Sequence, residues 1–437
     1  MSKACIVCLI AAVMTVPGRA LAQAAPPQRP GGLVGTNVSD PGARQSLNLT
    51  MSSTVGYDTS ATPEGRVEGA SVGYSSMLVG AADYTLQNRH AQLRATGTSA
   101  GYFRPLDNSA LGSDTYTGAV GFSARSRKHI VVVNTTAMYS SWPLQNLFAR
   151  PTEVMPGDAP AAQPDYVNNS RFSSYGTSMV VTRTATRNTT LSATGIWQQN
   201  DTLASGAGRW DLSMYGLGGQ LAHRLTRGTT ATAGYVYRTG AIDYHLEGGG
   251  PQTLAEQGVE VGVNYRRALS RTRNLTLRGQ LGDSSMLMPG PIDAAAEPQR
   301  RTRQLSGQAT GSYEFGRSWQ ARATYRRGVD YVTGLTEPVT AATLTTGVSG
   351  LLAQRIDLLI SAAHSNGAST LNRSRSAFDV YAADVRVRYA ITRLLAAYTE
   401  YLYYVYDSQG TPLAPGMPLS LTRKGVRVGL MLRISPF

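Results

Sequence analysis

Histidine is the residue type most often used for acid–base catalysis and metal binding near neutral pH. The sequence has five, at His90, His129, His223, His245 and His364. Only His245 lies between two carboxylates, in Asp243-Tyr244-His245-Leu246-Glu247, and a general base also needs a positioned partner that the sequence does not show. Both cysteines, Cys5 and Cys8, lie in the N-terminal segment. We therefore predict no enzyme activity and no catalytic, cofactor-binding or metal-binding site.

Arginine is the second residue type with evident chemistry, because its guanidinium binds carboxylates and phosphates. It carries nearly all of a formal net charge of +14, since Lys3, Lys128 and Lys424 are the only lysines. The arginines are scattered singly along the chain, which argues against a nucleic-acid partner. Many alternate with apolar residues; in one segment Asp384, Arg386 and Arg388 alternate with Val385, Val387 and Tyr389. This alternation predicts strands with one polar and one apolar face.

The same period of two begins at Leu47 and returns along the whole chain. Leu47, Leu49 and Met51 alternate with Asn48 and Thr50, for example. The composition includes 46 Gly and 23 Tyr but only 16% charged residues, a mixture that suits many strands bounded by tight turns. We find no sustained helical period and no apolar run of about twenty residues that would form a membrane helix.

Two kinds of connection alternate between these strands. Short polar turns are predicted near Asn88, Arg127, Thr186, Arg227, Arg271, Arg317, Gln354 and Thr392. Long loops are predicted at 59–68, 105–114, 142–170, 200–210, 241–256, 284–301, 333–338, 366–374 and 407–420. This layout predicts an all-β fold, a transmembrane antiparallel up-and-down β-barrel of about 18 strands, within a range of roughly 16 to 18. Strands longer than about ten residues favour it over a soluble β-sandwich.

The N-terminal residues differ from the rest of the chain. Lys3, an apolar run from Ala4 to Val16 and the small residues around Ala22 are typical of an export signal. We expect residues 1–22 to be a cleaved signal peptide, 23–44 a flexible periplasmic lead-in and 45–437 the barrel. The mature protein would then lack a thiol.

The last segment carries a resemblance to a known class. In residues 425–434 the Val, Leu and Ile side chains from Val426 to Ile434 stand at even-numbered positions. After Pro436 the given sequence stops on Phe437, which is at an odd-numbered position and so does not share this alternation. The chain resembles the porin-like outer-membrane barrels of Gram-negative bacteria, in which a terminal aromatic residue helps the assembly machinery recognise the precursor. The resemblance implies Phe437 as the C-terminal assembly signal. It also implies outer-membrane lipid, lipopolysaccharide and the barrel assembly machinery as partners. Gly-aromatic strands and Arg-marked turns are similar to those of porin-like barrels encoded near exopolysaccharide genes.

If the apolar faces meet lipid, the alternate side chains face a water-filled interior. The pore-lining candidates are Arg94, Arg278, Arg322, Arg326, Asp384, Arg386, Arg388 and Glu400. Short turns are rich in arginine and long loops in carboxylates, so a field should run along the pore. We predict a channel that passes small polar or anionic solutes; the oligomeric state stays open.

The longest loop, from Trp142 to Ser170, is the third on its side. In general porins the third loop folds inward and narrows the channel, so the resemblance implies Glu153, Asp158 and Asp165 as constriction-loop candidates. A free surface loop is the alternative, and Pro151, Pro156, Pro160 and Pro164 suit it equally well.

Tyrosines near the long-loop ends of strands predict an aromatic girdle at the membrane interface. The tyrosines predicted to form this girdle are Tyr57, Tyr102, Tyr139, Tyr235, Tyr237, Tyr331, Tyr401, Tyr403, Tyr404 and Tyr406. If Tyr398 and Tyr404 face inward, they would instead offer a stacking path for sugars. Two alternative functions follow: export or assembly of surface polysaccharide, and a plugged barrel acting as an enzyme around His245 or as a surface-binding protein.

Overall fold

The computed structural model describes residues 44–61, 73–103, 114–140, 172–202, 211–243, 251–270, 272–288, 300–316, 318–330, 339–369, 376–410 and 419–435. These residues form eighteen strands: β1 Gln45–Ala61, β2 Gly73–Gln87, β3 Ala91–Phe103, β4 Asp114–Arg125, β5 His129–Ser140, β6 Phe172–Thr184, β7 Thr189–Thr202, β8 Asp211–Arg224, β9 Thr229–Asp243, β10 Gln252–Ser270, β11 Arg273–Met288, β12 Arg300–Phe315, β13 Trp319–Asp330, β14 Val339–Ala353, β15 Ile356–Ser369, β16 Ser376–Ala390, β17 Leu395–Gly410 and β18 Ser420–Ile434.

The strands form one closed antiparallel barrel. Each strand pairs with its neighbours in the sequence, and β1 pairs with both β2 and β18. Closure gives every strand a hydrogen-bonded neighbour on both sides, which is the condition for exposing a sheet to lipid. The predicted all-β barrel and its strand number are confirmed. Within the part of the chain that the structure describes, no helix is long and apolar enough to span a membrane.

Alternation fixes which side chains point outward. On β18, Val426 and Val428 are 52% and 59% exposed, whereas Arg427 between them is 2% exposed. A one-residue change of register would exchange the two faces, so the apolar pattern specifies the pairing of each strand.

The eight short connections lie where the sequence predicts them, all at one end of the barrel. A hydroxyl or amide side chain closes several of them. Thr186 Oγ1 accepts hydrogen bonds from the backbone N–H groups of Asn188 (3.2 Å) and Thr189 (3.0 Å). Thr226 and Thr392 close their turns in the same way. Gly316 starts the β12–β13 turn with φ +69°, a conformation that favours glycine.

Strand ends at the opposite side extend further than predicted. β11 runs to Met288 and β10 begins at Gln252, although the sequence suggested loops over 284–301 and 241–256. The loop prediction was wrong at these ends because the side-chain alternation fades there while the backbone pairing continues, as far as Ala255 with Leu287. Paired backbone groups keep these residues in the sheet.

The barrel closes where β1 meets β18, in register from Leu49 with Ile434 to Ala61 with Thr422. Tyr398 of β17 reaches across β18, and its hydroxyl hydrogen-bonds Thr54 Oγ1 of β1. Its ring lies over Gly429, where an added Cβ would be 2.6 Å from Tyr398 Cζ. We call this contact of Tyr398, Gly429 and Thr54 the seam contact. It ties together three strands on the inner face.

Candidate functional site

The inner wall of the barrel is the candidate site, because it gathers polar and charged side chains from most strands. On β1 the inner residues are Ser46, Asn48, Thr50, Ser52 and Thr54, all buried. The outer residues of the same strand include the exposed Met51 and Val55. The interior is therefore polar where the exterior is apolar, the reverse of a soluble globular protein.

Four of the predicted pore-lining arginines lie on this inner face in β3, β11 and β13. Arg94 Nη2 is 2.5 Å from Asp83 Oδ2 of β2. Arg278 pairs with Thr310 of β12. Arg322 and Arg326 of β13 pair with Ser312 and Gln308 of β12. Arg278 lies close enough to Arg322 and Arg266 for their charges to repel. The same wall carries Glu256, Glu260 and Glu314, so the net positive charge of the described β10–β13 wall is small.

The other four candidates form ion pairs and hydrogen bonds on β15–β17. Arg386 Nη2 lies 2.7 Å from Glu400 Oε1, and both side chains are buried. Arg388 Nη2 lies 2.6 Å from Asp357 Oδ2, a partner that the sequence reasoning did not single out. Asp384 accepts a hydrogen bond from Ser361 Oγ. A paired guanidinium and carboxylate hold each other in place, so this wall is rigid as well as charged.

The sequence reasoning did not identify several charged residues of the inner face. Arg238 Nη1 lies 3.4 Å from Glu256 Oε2, joining β9 to β10. Arg423 and Arg427 of β18 are buried on the same face, and Glu260 and Arg266 of β10 also lie on it. The alternation already carried this information, since Arg427 lies between Val426 and Val428. Carrying the parity through every strand would have identified them.

The inner wall is asymmetric. Between the two ends, the inner faces of β4–β8 carry hydroxyl, amide, small and apolar side chains and, among the described residues, no charge. Charged inner residues lie on β2, β3, β9–β13 and β15–β18. A solute in the lumen would therefore meet a neutral wall on one side and a charged wall on the other.

The short-turn end adds a basic rim. In the sequence each of the eight short connections contains an arginine, and the described ones are exposed. They are Arg89, Arg127, Arg187, Arg227, Arg355 and Arg393, with Lys128 beside them. Cations at one mouth raise the local concentration of anions there.

The tyrosines divide between the two faces. Tyr57, Tyr235, Tyr237 and Tyr401 are exposed on the outer face, as a girdle requires, and the rings of Tyr57 and Tyr74 pack 5.3 Å apart. Tyr404 and Tyr406 lie on the inner face instead, because they share the parity of Tyr398 and Glu400, so their assignment to the girdle was wrong. Tyr398, Tyr404 and Tyr406 are buried, and they offer no free ring face for stacking a sugar.

Other predicted residues lie outside the described residues. These are the constriction-loop candidates Glu153, Asp158 and Asp165, the loop histidine His245 and the terminal Phe437. Among the residues that are described, no group of three or more His, Cys, Asp or Glu side chains could hold a metal ion.

Comparisons with known proteins return solved structures only. No protein-family model and no curated protein matches the chain. OpdQ of Pseudomonas aeruginosa superposes with a TM-score of 0.44 at 8% identity, covering 90% of this chain and 100% of that one. The FrpB iron transporter of Neisseria meningitidis gives 0.44 at 10% identity, covering 90% and 82%. The ferric-catecholate import receptor Fiu of E. coli K12 gives 0.42 at 10% identity, covering 89% and 81%. At these TM-scores the superpositions assign neither a family nor a solute to this chain.

Proposed function

We propose that the chain is a channel of the bacterial outer membrane that passes small polar solutes and favours anions. The observation that carries this proposal is the inverted polarity of the closed barrel, whose outer face is apolar and whose inner face is charged. Burying an arginine in lipid costs about 2 to 4 kcal/mol near the midplane, so the inner face is the favourable place for these side chains. Such a barrel is stable in a bilayer only if the inner face is hydrated or otherwise satisfied.

The preference for anions rests on the sum of the inner charges. Among the described residues of the inner face, arginines outnumber carboxylates, and ion pairing does not change that sum. The arginines include Arg94, Arg238, Arg266, Arg278, Arg322, Arg326, Arg386, Arg388, Arg423, Arg427 and Arg433; the carboxylates are Asp83, Glu256, Glu260, Glu314, Asp357, Asp384 and Glu400. A wall with net positive charge lowers the energy of an anion in a low-dielectric channel. The basic rim acts in the same direction.

Planar-bilayer recordings of the purified full chain test this function. We expect stepwise conductance and, under a salt gradient, a reversal potential that indicates anion preference. The double variant Arg278→Gln, Arg322→Gln should shift that potential toward cations, since it removes two inner charges. Arg327→Gln is the matched control, because Arg327 is exposed on the outer face of β13. Cation preference in the unaltered protein would refute the selectivity, and a folded but silent barrel would refute the channel.

A further inference from the structure

The sheet separates between β12 and β13 at the long-loop end. β12 pairs with β11 as far as Arg300, but its pairing with β13 stops at Gly307 with Arg327. β13 and β14 stay paired with each other beyond that point, up to Asp330 with Val339. The ends of β13 and β14 therefore separate from β12 while staying paired with each other, and β14 also stays paired with β15 as far as Val339 with Ser369. We call the paired ends of β13 and β14 the ribbon.

The ribbon bends into the lumen. Val329 and Thr340 pair with each other and share the parity of Tyr325 and Leu344, which are exposed on the outer face. Thr340 Oγ1 nevertheless lies 2.8 Å from Gln304 Nε2 and 3.1 Å from Gln304 Oε1, and Gln304 belongs to the inner face of β12. The outer side of the ribbon can meet the inner side of β12 only if the ribbon crosses in front of the wall.

Val329 shows the same geometry through its apolar contacts. It is buried in a cluster whose other members all lie on the inner face of β8–β11: Leu212, Met214, Ile242, Leu254 and Met286. We call these five residues the seat. Leu254 is fully buried, and Met286 is 1% exposed. Large apolar side chains are unfavourable on a wall that faces water, and the ribbon removes them from it.

We infer that the ends of β13 and β14, residues 328–330 and 339–341, form a ledge that narrows the outer half of the lumen and sets the size limit for solutes. This inference rests on the proposed channel function for its consequence and on the contacts above for its geometry. The ledge differs from the expected constriction loop at 142–170, because ordered strand ends build it. Its seat adjoins the Arg238–Glu256 ion pair, since Glu256 pairs with Met286 across β10 and β11.

The position of the ledge is tested by a disulfide. In the variant Gln304→Cys, Thr340→Cys, the two thiols replace side chains in direct contact, and the only native cysteines are Cys5 and Cys8 in the N-terminal segment. Oxidation of the folded full chain should join the two positions, seen as a reducible mobility shift on a gel. Gln304→Cys paired with Leu344→Cys is the matched control, which should stay unjoined because Leu344 is exposed on the outer face. Absence of the Gln304–Thr340 disulfide would overturn the ledge.

The size limit is tested by thiol reagents of graded size applied to intact cells that express Thr324→Cys, an inner position on the short-turn side of the ledge. Adding Leu254→Ala and Met286→Ala should loosen the seat and admit reagents that the unaltered background excludes, with at least a tenfold faster reaction. Leu277→Ala with Leu281→Ala, on the outer face of β11, should change neither rate nor limit. If the seat and control variants admit thiol reagents of the same maximum size, the ledge does not narrow the lumen, even where the disulfide forms. A barrel that is silent in bilayers but passes both tests would refute the channel function alone.

Discussion

Removing the tyrosine of the seam contact should weaken the closure of the barrel. Tyr398 is 4% exposed and Thr54 is 2% exposed, so their hydrogen bond is shielded from water. Tyr398→Phe deletes this bond and leaves a buried Thr54 hydroxyl, a loss of about 1 to 2 kcal/mol. Tyr398→Ala also removes the ring that covers Gly429, and truncating a buried aromatic residue costs about 3 to 5 kcal/mol.

A neighbouring cation adds to the loss in the alanine variant. The guanidinium carbon of Arg386 lies 5.9 Å from the centre of the Tyr398 ring, a cation–π contact worth about 0.5 to 2 kcal/mol. Because these contributions overlap in space, they will not add fully. We therefore expect Tyr398→Ala to lose no more than about 5 kcal/mol.

Urea titration of the barrel in lipid vesicles, followed by tryptophan fluorescence and by the folded fraction on unheated gels, measures both losses. Tyr401→Phe and Tyr401→Ala are the matched controls, since Tyr401 lies on the same strand but is 45% exposed on the outer face. If Tyr398→Ala destabilises the barrel no more than Tyr401→Ala does, the seam contact is incidental to closure and the reasoning fails.

Two further changes probe the walls of the barrel. Arg386→Ala and Glu400→Ala each remove one member of a buried ion pair and should lower the free energy of unfolding by about 3 to 5 kcal/mol, whereas the double variant should lose clearly less than the sum of the two. Additive losses in the same urea titration would mean that the two side chains are not coupled. Val261→Arg puts a charge on the exposed outer face at the centre of β10 and should destabilise the barrel in vesicles by about 2 to 4 kcal/mol. Asn264→Arg, on the inner face of the same strand, should change the stability little. Equal losses of stability in the two variants would contradict the assignment of lipid to the outer face.

The strands and short turns could be predicted from sequence because the information is local. A period of two, as in Leu275 and Leu277, needs only neighbouring residues to assign both the strand and its two faces. A turn such as Thr226 to Thr229 likewise contains its own closing hydroxyl. Because alternate residues of a strand share a face, the candidate arginines could be assigned to one face without knowing which residues they pair with.

Contacts across strands could not be predicted in the same way. Thr54 and Tyr398 are separated by 344 positions, and their contact depends on the register of β17, β18 and β1 together. Arg388 shares the inner face with several carboxylates, and only the register of β15 against β16 selects Asp357. The ledge could not be predicted from the sequence for a different reason. Val329 keeps the parity of an outward residue, and the bend of the ribbon alone turns it inward.

The arrangement of partners decides which arginines would set the field in the proposed channel. Arg386 and Arg388 each face a carboxylate at ion-pair distance, so a passing anion meets a dipole there. Arg278 lies near Arg266 and Arg322, whose like charges add to its own, and the Glu260 and Glu314 carboxylates of the same wall offset part of that charge. Screening by salt is weaker inside a narrow lumen than at a surface, so this cluster acts over more of the cross-section. The ledge is built from the upper ends of the same β13 wall. A solute that passes the ledge along that wall would next meet Arg326 and Arg322, so size and charge would be selected in succession along β13.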